Sequence, residues 1–183
     1  ERDADRKANA MSHIARHDPL LVAARLALRA AVVVIAFTMA IALAASAVLM
    51  LAPEETIAAR LAAAPEGARL AIAGIAIISV AELYLCLRFA VELRRIIETV
   101  AGGDPFVPEN ADRLGRMAWL ALGSSVLILA IAPLAVWLAP YLPQLKGSPY
   151  VPFGGFALAL TLFLLARVFR HGAAMREDLE GTV

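Results

Sequence analysis

The sequence is poor in cysteine and in charge. Its 183 residues include a single cysteine, Cys86, so no disulfide can form within the chain. Charged residues make up 18 % of the chain, whereas a soluble domain usually has about a quarter. The formal net charge is +1, which gives no electrostatic basis for direct nucleic-acid binding. These shortages exclude a disulfide scaffold and argue against an ordinary soluble enzyme or a nucleic-acid-binding protein.

Motifs for catalysis and for metal or nucleotide binding are also missing. His13 and His17 are four positions apart, as two metal ligands on a helix would be, but no nearby cysteine completes a site. No serine or cysteine in the apolar segments has a histidine at the same depth to activate it. The glycines form neither a dinucleotide-binding nor a Walker pattern. We therefore expect no enzymatic activity, no cofactor and no bound metal.

Apolar residues are abundant instead, at 61 % of the chain, and they gather into four blocks. A bilayer core is crossed by about 20 apolar helical residues, and the backbone in lipid must pair its own polar groups. Each block is therefore predicted to be a transmembrane helix, and the fold to be an all-α, integral membrane four-helix bundle. The predicted spans cover about residues 30–51, 70–91, 118–139 and 153–169.

The chain is predicted to have a charged N-terminal arm over residues 1–18 and a single four-span domain over residues 19–183. The block at 30–51 follows this arm and exceeds the length of a signal-peptide core, so we interpret it as a retained span. Because the chain begins at Glu1, we expect that a start methionine or a longer leader preceded it.

Lysines and arginines predict the orientation of the bundle. Fourteen of them lie in the N-terminal segment up to Arg29, in the segment from Arg88 to Arg116, or from Arg167 onward. The opposite side has only Arg60, Arg69 and Lys146. By the positive-inside rule, both termini and the middle loop are predicted to be cytoplasmic.

The helices are predicted to extend beyond the membrane on the cytoplasmic side. Asp18 and Pro19 form a helix-start signal, and glycines at 102 and 103 form a stop signal for the second helix. The third helix is predicted to begin near Pro108, and the fourth to continue through Met175. These four cytoplasmic helix extensions would form a small platform of mixed charge.

Glu82 is energetically unfavourable in the second span, because a carboxylate buried at that depth needs an ionic partner or a bound proton. Arg25 or Arg29 of the first helix, or Arg167 of the fourth, is a candidate partner. One interpretation makes Glu82 a structural interhelical ion pair. The other makes it a proton- or ligand-responsive switch, or part of a transport path.

Small residues are predicted to let the helices approach closely, since packing replaces the hydrophobic drive in lipid. A stripe of alanines on the first helix could also pair two copies of the chain as a homodimer. Pro133 is expected to kink the third helix. The predicted close-approach positions are Ala36, Ala40, Ala44, Gly74, Gly123, Ser124 and Ser125.

Two cytoplasmic segments have more specific patterns. Residues Gly103–Leu114 contain Gly-Asp-Pro-Phe, then Glu-Asn and Arg-Leu, and residues Glu177–Val183 contain an acidic pair and end in Gly-Thr-Val. With the four spans from about Leu20 onward, these segments resemble the bacterial membrane family catalogued as domain of unknown function 2975 (DUF2975). Gly115-Arg116 departs from that pattern, since a second basic residue is expected directly after Leu114.

The resemblance implies a location in the bacterial inner membrane and a partner, because family members are commonly encoded beside a small helix-turn-helix regulator of the Cro/C1 type. We therefore expect a non-enzymatic protein that binds and regulates such a regulator in the cytoplasm. The alternatives are a small transporter or channel component that uses Glu82, and a structural subunit of a membrane complex. The expected partner-binding residues are Asp104, Phe106, Glu109, Asn110 and Arg113 in the loop, and Glu177 and Asp178 in the tail.

Overall fold

The computed structural model describes residues 19–51, 67–102, 104–141 and 151–180, and these residues form four long helices. The described part of the chain contains no β-strand, so the predicted all-α fold is confirmed. Each helix contains one predicted span, except that the third ends one residue early. The helices are α1 (Pro19–Leu51), α2 (Ala68–Ala101), α3 (Pro108–Leu138) and α4 (Phe153–Glu180).

The helix ends follow from local sequence. Gly67 precedes α2 with a φ of 90°, a conformation that glycine adopts at little cost. The N–H of Gly102 donates to the carbonyl oxygens of Glu98 (3.1 Å) and Thr99 (3.0 Å), which closes the last turn of α2. Pro108 is the first residue of α3, where its missing N–H costs no hydrogen bond. The predicted starts at Pro19 and Pro108 and the predicted stop before Gly102 are confirmed.

All four helices are long and apolar enough to cross a membrane. Large apolar side chains point away from the bundle on every helix: Phe37 is 67 % exposed, Leu70 78 % and Val168 61 %. A soluble protein rarely exposes so much contiguous apolar surface, whereas lipid tails solvate it well. The chain is a multi-pass membrane protein.

The helices pack in chain order, α1 on α2, α2 on α3, and α3 most extensively on α4. The core lies mainly between α3 and α4, and α2 contributes Phe89, Leu93 and Ile96 to its edge. Alanines alternate with larger residues in this core, so the two helix backbones approach closely. The buried core residues are Leu114, Met117, Ala118, Ala121, Ala159, Leu162 and Ala166.

Three of the predicted close-approach positions lie at helix contacts. Gly123 faces Leu85 of α2, and a Cβ added to this glycine would lie 3.4 Å from Leu85 Cδ1. Ser125 is buried against Gly155 of α4, and its hydroxyl donates to the carbonyl of Ala121 (2.9 Å). Ser124 reaches α2, as described below. At Gly74, in contrast, an added Cβ would meet no described atom within 4 Å.

Helix α1 is the most peripheral element, since none of its side chains with a described exposure is buried. The alanines at 40 and 44 are exposed and Ala36 is half-buried. Residues 1–18 are outside the described part of the chain, so the predicted arm, the Asp18 cap and the histidines at 13 and 17 are outside it too.

One end of the bundle carries most of the described charge, and we call it the polar end. It comprises the starts of α1 and α3, the ends of α2 and α4, and the described loop residues 102 and 104–107. Two interhelical ion pairs lie here: Arg116 of α3 with Glu92 of α2 (3.2 Å), and Arg170 of α4 with Asp112 of α3 (3.4 Å).

Candidate functional site at the polar end

The loop between α2 and α3 is fixed by one buried side chain, Asn110. This residue is fully buried, and its Nδ2 donates to Thr99 Oγ1 (2.8 Å) and to the carbonyl of Pro105 (2.9 Å). Its backbone N–H donates to the carbonyl of Val107 (2.9 Å). A single amide therefore joins the end of α2, the loop and the first turn of α3.

Arg113 completes this network from one turn further along α3. Its Nη1 donates to Asn110 Oδ1 (2.8 Å) and lies 3.4 Å from the carbonyl oxygen of Arg95. The guanidinium supplies a charged donor to the remaining acceptor of the Asn110 amide, and such hydrogen bonds are stronger than neutral ones. Asn110 and Arg113, both predicted as partner-binding residues, thus make internal contacts that set the shape of the loop.

Asp104 joins the loop to α4. Its Oδ1 accepts a hydrogen bond from Arg176 Nη1 (2.6 Å) and another from the backbone N–H of Phe106 (3.2 Å). The second bond is the local turn that aspartate favours before proline. The carboxylate therefore fixes the turn of the loop and the end of α4 together.

Phe106 rests on α4 but remains 44 % exposed. Its ring lies 5.2 Å from that of Phe169, centroid to centroid. The glycine at 172 makes room for it, because a Cβ there would lie 3.1 Å from Phe106 Cδ1. Phe106, predicted as a partner-binding residue, thus packs on α4 with one side of its ring and leaves the other side open.

An apolar groove of about 680 Å³ opens beside Phe106 along α4. Leu164, Val168 and Met175 supply its apolar surface. Arg167 and His171 also line it, so the groove combines an apolar floor with basic side chains. The groove thus places apolar surface beside the open face of Phe106.

The remaining predicted site residues lie on the outside of the polar end. Glu109 is exposed in the first turn of α3, where its charge complements the helix dipole. Glu177 and Asp178 are exposed on the last turns of α4, directly after the Arg176 that contacts the loop. The structure therefore brings the loop and the tail, about 70 residues apart in the chain, to one surface.

Sequence reasoning missed the most buried charge of the described residues, Glu92. Its side chain is 2 % exposed, and its two oxygens accept from Arg116 Nε (3.3 Å) and Nη2 (3.2 Å). Arg95 Nη1 lies 3.5 Å from the same carboxylate. The available signal was position, since Glu92 lies three residues after Phe89 and four before Ile96 and so shares their inward face. The family pattern has a basic residue directly after Leu114, where this chain has Gly115-Arg116. Arg116 is the residue that makes this charge contact.

Glu82 lies deeper, at the contact between α2 and α3. The hydroxyl of Ser124 donates to Glu82 Oε1 (2.5 Å), and Cys86 Sγ lies 3.7 Å from the same oxygen. Glu82 Oε2 is buried and has no hydrogen-bond partner in the described part of the chain. The carboxyl group thus meets a hydroxyl from α3 in place of the arginines considered as its partners.

Comparison with known proteins gives one match. A family model described as a protein of unknown function (DUF2975) matches residues 56–183, well over half of the chain. The matched region contains α2, α3, α4 and the loop and tail, whereas α1 lies before it. No curated protein and no solved structure matches the chain.

Proposed function

We propose that this chain, which belongs to the DUF2975 family, is a non-enzymatic protein of the bacterial inner membrane that binds a cytoplasmic helix-turn-helix regulator of the Cro/C1 type. The polar end would face the cytoplasm, as the distribution of lysine and arginine predicts. By holding the regulator at the membrane, the protein would control how much of it reaches DNA.

The observation that carries this proposal is the half-exposed ring of Phe106 on a loop that hydrogen bonds of Asp104 and Asn110 hold in place. Aromatic side chains are frequent binding hot spots. A surface that is already ordered loses less conformational entropy on binding than a mobile one. Asn110 and Asp104 provide this order, and Met175, which lines the groove beyond the predicted span, offers adjacent apolar surface.

The charges of the same surface support a basic partner. Glu109, Glu177 and Asp178 present exposed carboxylates around the loop and the tail. A DNA-binding regulator carries a basic face, so these carboxylates would attract the face that otherwise contacts phosphates. Binding here and binding to DNA would then exclude each other.

A pull-down of the full chain in mild detergent, with a Cro/C1-type helix-turn-helix regulator added, tests the proposal. Phe106→Ala is expected to weaken the capture about tenfold, as the loss of a central aromatic anchor does. Arg113→Ala is expected to weaken it as well, because the loop loses a support. The matched control is Phe153→Ala, at the opposite end of α4, where the ring is 75 % exposed.

Equal capture by the wild type, Phe106→Ala and Phe153→Ala would contradict the proposed surface. Failure of the wild-type chain to retain the regulator would contradict the proposed function.

We also propose that two copies of the chain form a homodimer through α1. The alanines at 40 and 44 are exposed on this helix, and small residues allow two transmembrane helices to approach closely. Crosslinking through a cysteine at position 44, in a Cys86→Ser background, would detect the pair.

A further inference from the structure

A cleft between α1 and α2 at the polar end is lined by arginines from both helices. Arg25 and Arg29 come from α1, and Arg94 and Arg95 come from α2. The cleft consists of two adjacent cavities of about 210 and 540 Å³, which share Arg29, Arg94 and Glu98 among their lining residues. It is separate from the loop and from the groove on α4.

The arginines that line this cleft outnumber its acidic residues, so the net charge of the cleft is positive. Glu98 is the acidic residue that lines it, and Arg94 Nε donates to Glu98 Oε1 (2.8 Å). That hydrogen bond lowers the pKa of the Glu98 carboxyl, which lies beyond the apolar span, and the charges of Arg94, Arg25 and Arg29 lower it further. Four arginines thus line the cleft with one glutamate, which is already paired with Arg94.

Two of these arginines have binding capacity to spare. Arg25 Nε is buried and has no hydrogen-bond partner in the described part of the chain. Arg95 contacts Glu92 only at 3.5 Å, and that carboxylate is also bound by Arg116. A buried donor without an acceptor is costly, so an anionic ligand with several acceptor oxygens would relieve the cleft.

The wall of the cleft on the membrane side is apolar. Val32, Val33 and Val91 line the larger cavity next to the arginines. Val32 and Val33 stand at the beginning of the uncharged part of α1, and Val91 at the end of the apolar part of α2. The cleft therefore lies at the boundary where headgroups meet acyl chains, with charge on one side and an apolar surface on the other.

We propose that this cleft binds an anionic phospholipid, with the phosphodiester headgroup on Arg25, Arg29 and Arg95 and an acyl chain along Val32, Val33 and Val91. Guanidinium groups bind phosphate oxygens in pairs, and basic pockets between transmembrane helices hold acidic headgroups. A free phosphate would satisfy the arginines but would leave the valines uncovered. The lipid would also join α1, the most peripheral helix, to the rest of the bundle.

Native mass spectrometry of the full chain in detergent, titrated with phosphatidylglycerol or phosphatidylcholine, tests this assignment. The wild type is expected to bind phosphatidylglycerol about tenfold more tightly, since each arginine near the headgroup adds attraction for an anionic lipid. The double substitution Arg25→Gln/Arg29→Gln is expected to abolish the difference between the two lipids. The control is Arg170→Gln, an exposed arginine of the same end on α4, which is expected to leave the difference unchanged.

Equal affinity of the wild type for the two lipids would overturn the proposal, whether or not the double variant folds. Retention of neither lipid would overturn it as well. An equal loss in Arg170→Gln would have the same consequence, because the preference would then reflect overall charge.

Competition with inorganic phosphate distinguishes a lipid-binding site from a site for a free anion. Phosphate is expected not to displace phosphatidylglycerol, and Val33→Asn is expected to weaken phosphatidylglycerol without affecting phosphate. Displacement by phosphate, together with no effect of Val33→Asn, would identify a free-anion site and overturn the lipid assignment. None of these variants touches Phe106 or the tail, so the result is independent of regulator binding.

Discussion

Arg176 and Asp104 are 72 positions apart in the chain, and their side chains meet at 2.6 Å. This ion pair joins the end of α4 to the loop between α2 and α3. It brings the loop and the described beginning of the tail pattern, at the end of α4, to one surface. The loop is therefore held from two sides, by α4 through Asp104 and by α2 and α3 through Asn110.

The Asp104–Arg176 pair is expected to order the loop while adding little to global stability. Both side chains are partly exposed, at 38 % and 50 %, and exposed pairs contribute about 0.2–1 kcal/mol to the free energy of unfolding. Arg176→Gln should therefore change that free energy by less than about 1 kcal/mol and should speed hydrogen exchange at Phe106. A double-mutant cycle with Asp104→Asn measures the coupling. Unchanged exchange at Phe106 would show that the pair does not hold the loop.

Asn110→Ala is expected to destabilise the polar end. The substitution leaves the partly buried carbonyl of Pro105 and guanidinium of Arg113 without their shared partner, and the loss of these hydrogen bonds should cost about 1–3 kcal/mol. Thermal unfolding in detergent measures the loss. The neighbouring Glu109→Ala is the control, because Glu109 is exposed and should have little effect. Equal stability of the two variants would mean that the buried amide does not support the loop.

Glu92→Gln is expected to weaken the contact between α2 and α3. The carboxylate is buried and accepts from Arg116, whereas both arginines around it are about half exposed and can be hydrated. The expected loss of unfolding free energy is therefore about 1–3 kcal/mol, below that of a fully buried pair. Glu98→Gln removes an exposed partner of Arg94 and should cost less than about 1 kcal/mol. A larger loss of unfolding free energy in Glu98→Gln than in Glu92→Gln would contradict the prediction that Glu92 makes the stabilising contact.

Two adjacent glycines give a matched test of the packing between α3 and α4. A Cβ at Gly155 would overlap the hydroxyl of Ser125, so Gly155→Ala must displace that buried side chain or separate the helices. Overpacking of this kind costs about 1–3 kcal/mol. Gly154→Ala meets no described atom within 4 Å and should be neutral or slightly stabilising in a helix. The melting temperatures of the two variants test this prediction. Equal melting temperatures would show that α3 and α4 are not tightly packed at Gly155.

Glu82→Gln separates the regulator-binding function from transport. A conducting path requires several polar groups along one route, whereas the described contacts of Glu82 involve only Ser124 and Cys86. Proteoliposomes with the wild type are therefore expected to show no ion flux above empty vesicles, and regulator capture should survive Glu82→Gln. Flux that disappears in Glu82→Gln would instead support the transporter alternative.

The sequence by itself determined the four helices and most of their ends, because these depend on local physics. An apolar run of sufficient length must be helical in lipid, and Pro108 and Gly102 act within a single turn. The predicted platform of helix extensions follows from the same signals. The sequence also allowed the family to be identified, since the patterns of the loop and of the tail are each contiguous in the chain.

Only the tertiary structure decided what the polar side chains do, because their partners are distant in the chain. Glu92 looked like one charge of an exposed helix extension, yet Arg116, 24 positions away, holds it in a buried contact. Asn110 looked available to a partner but is buried under the loop. Glu82 meets Ser124, 42 positions away, in place of an arginine. Helical periodicity tells which residues share a face, but the neighbour of that face depends on how the helices pack.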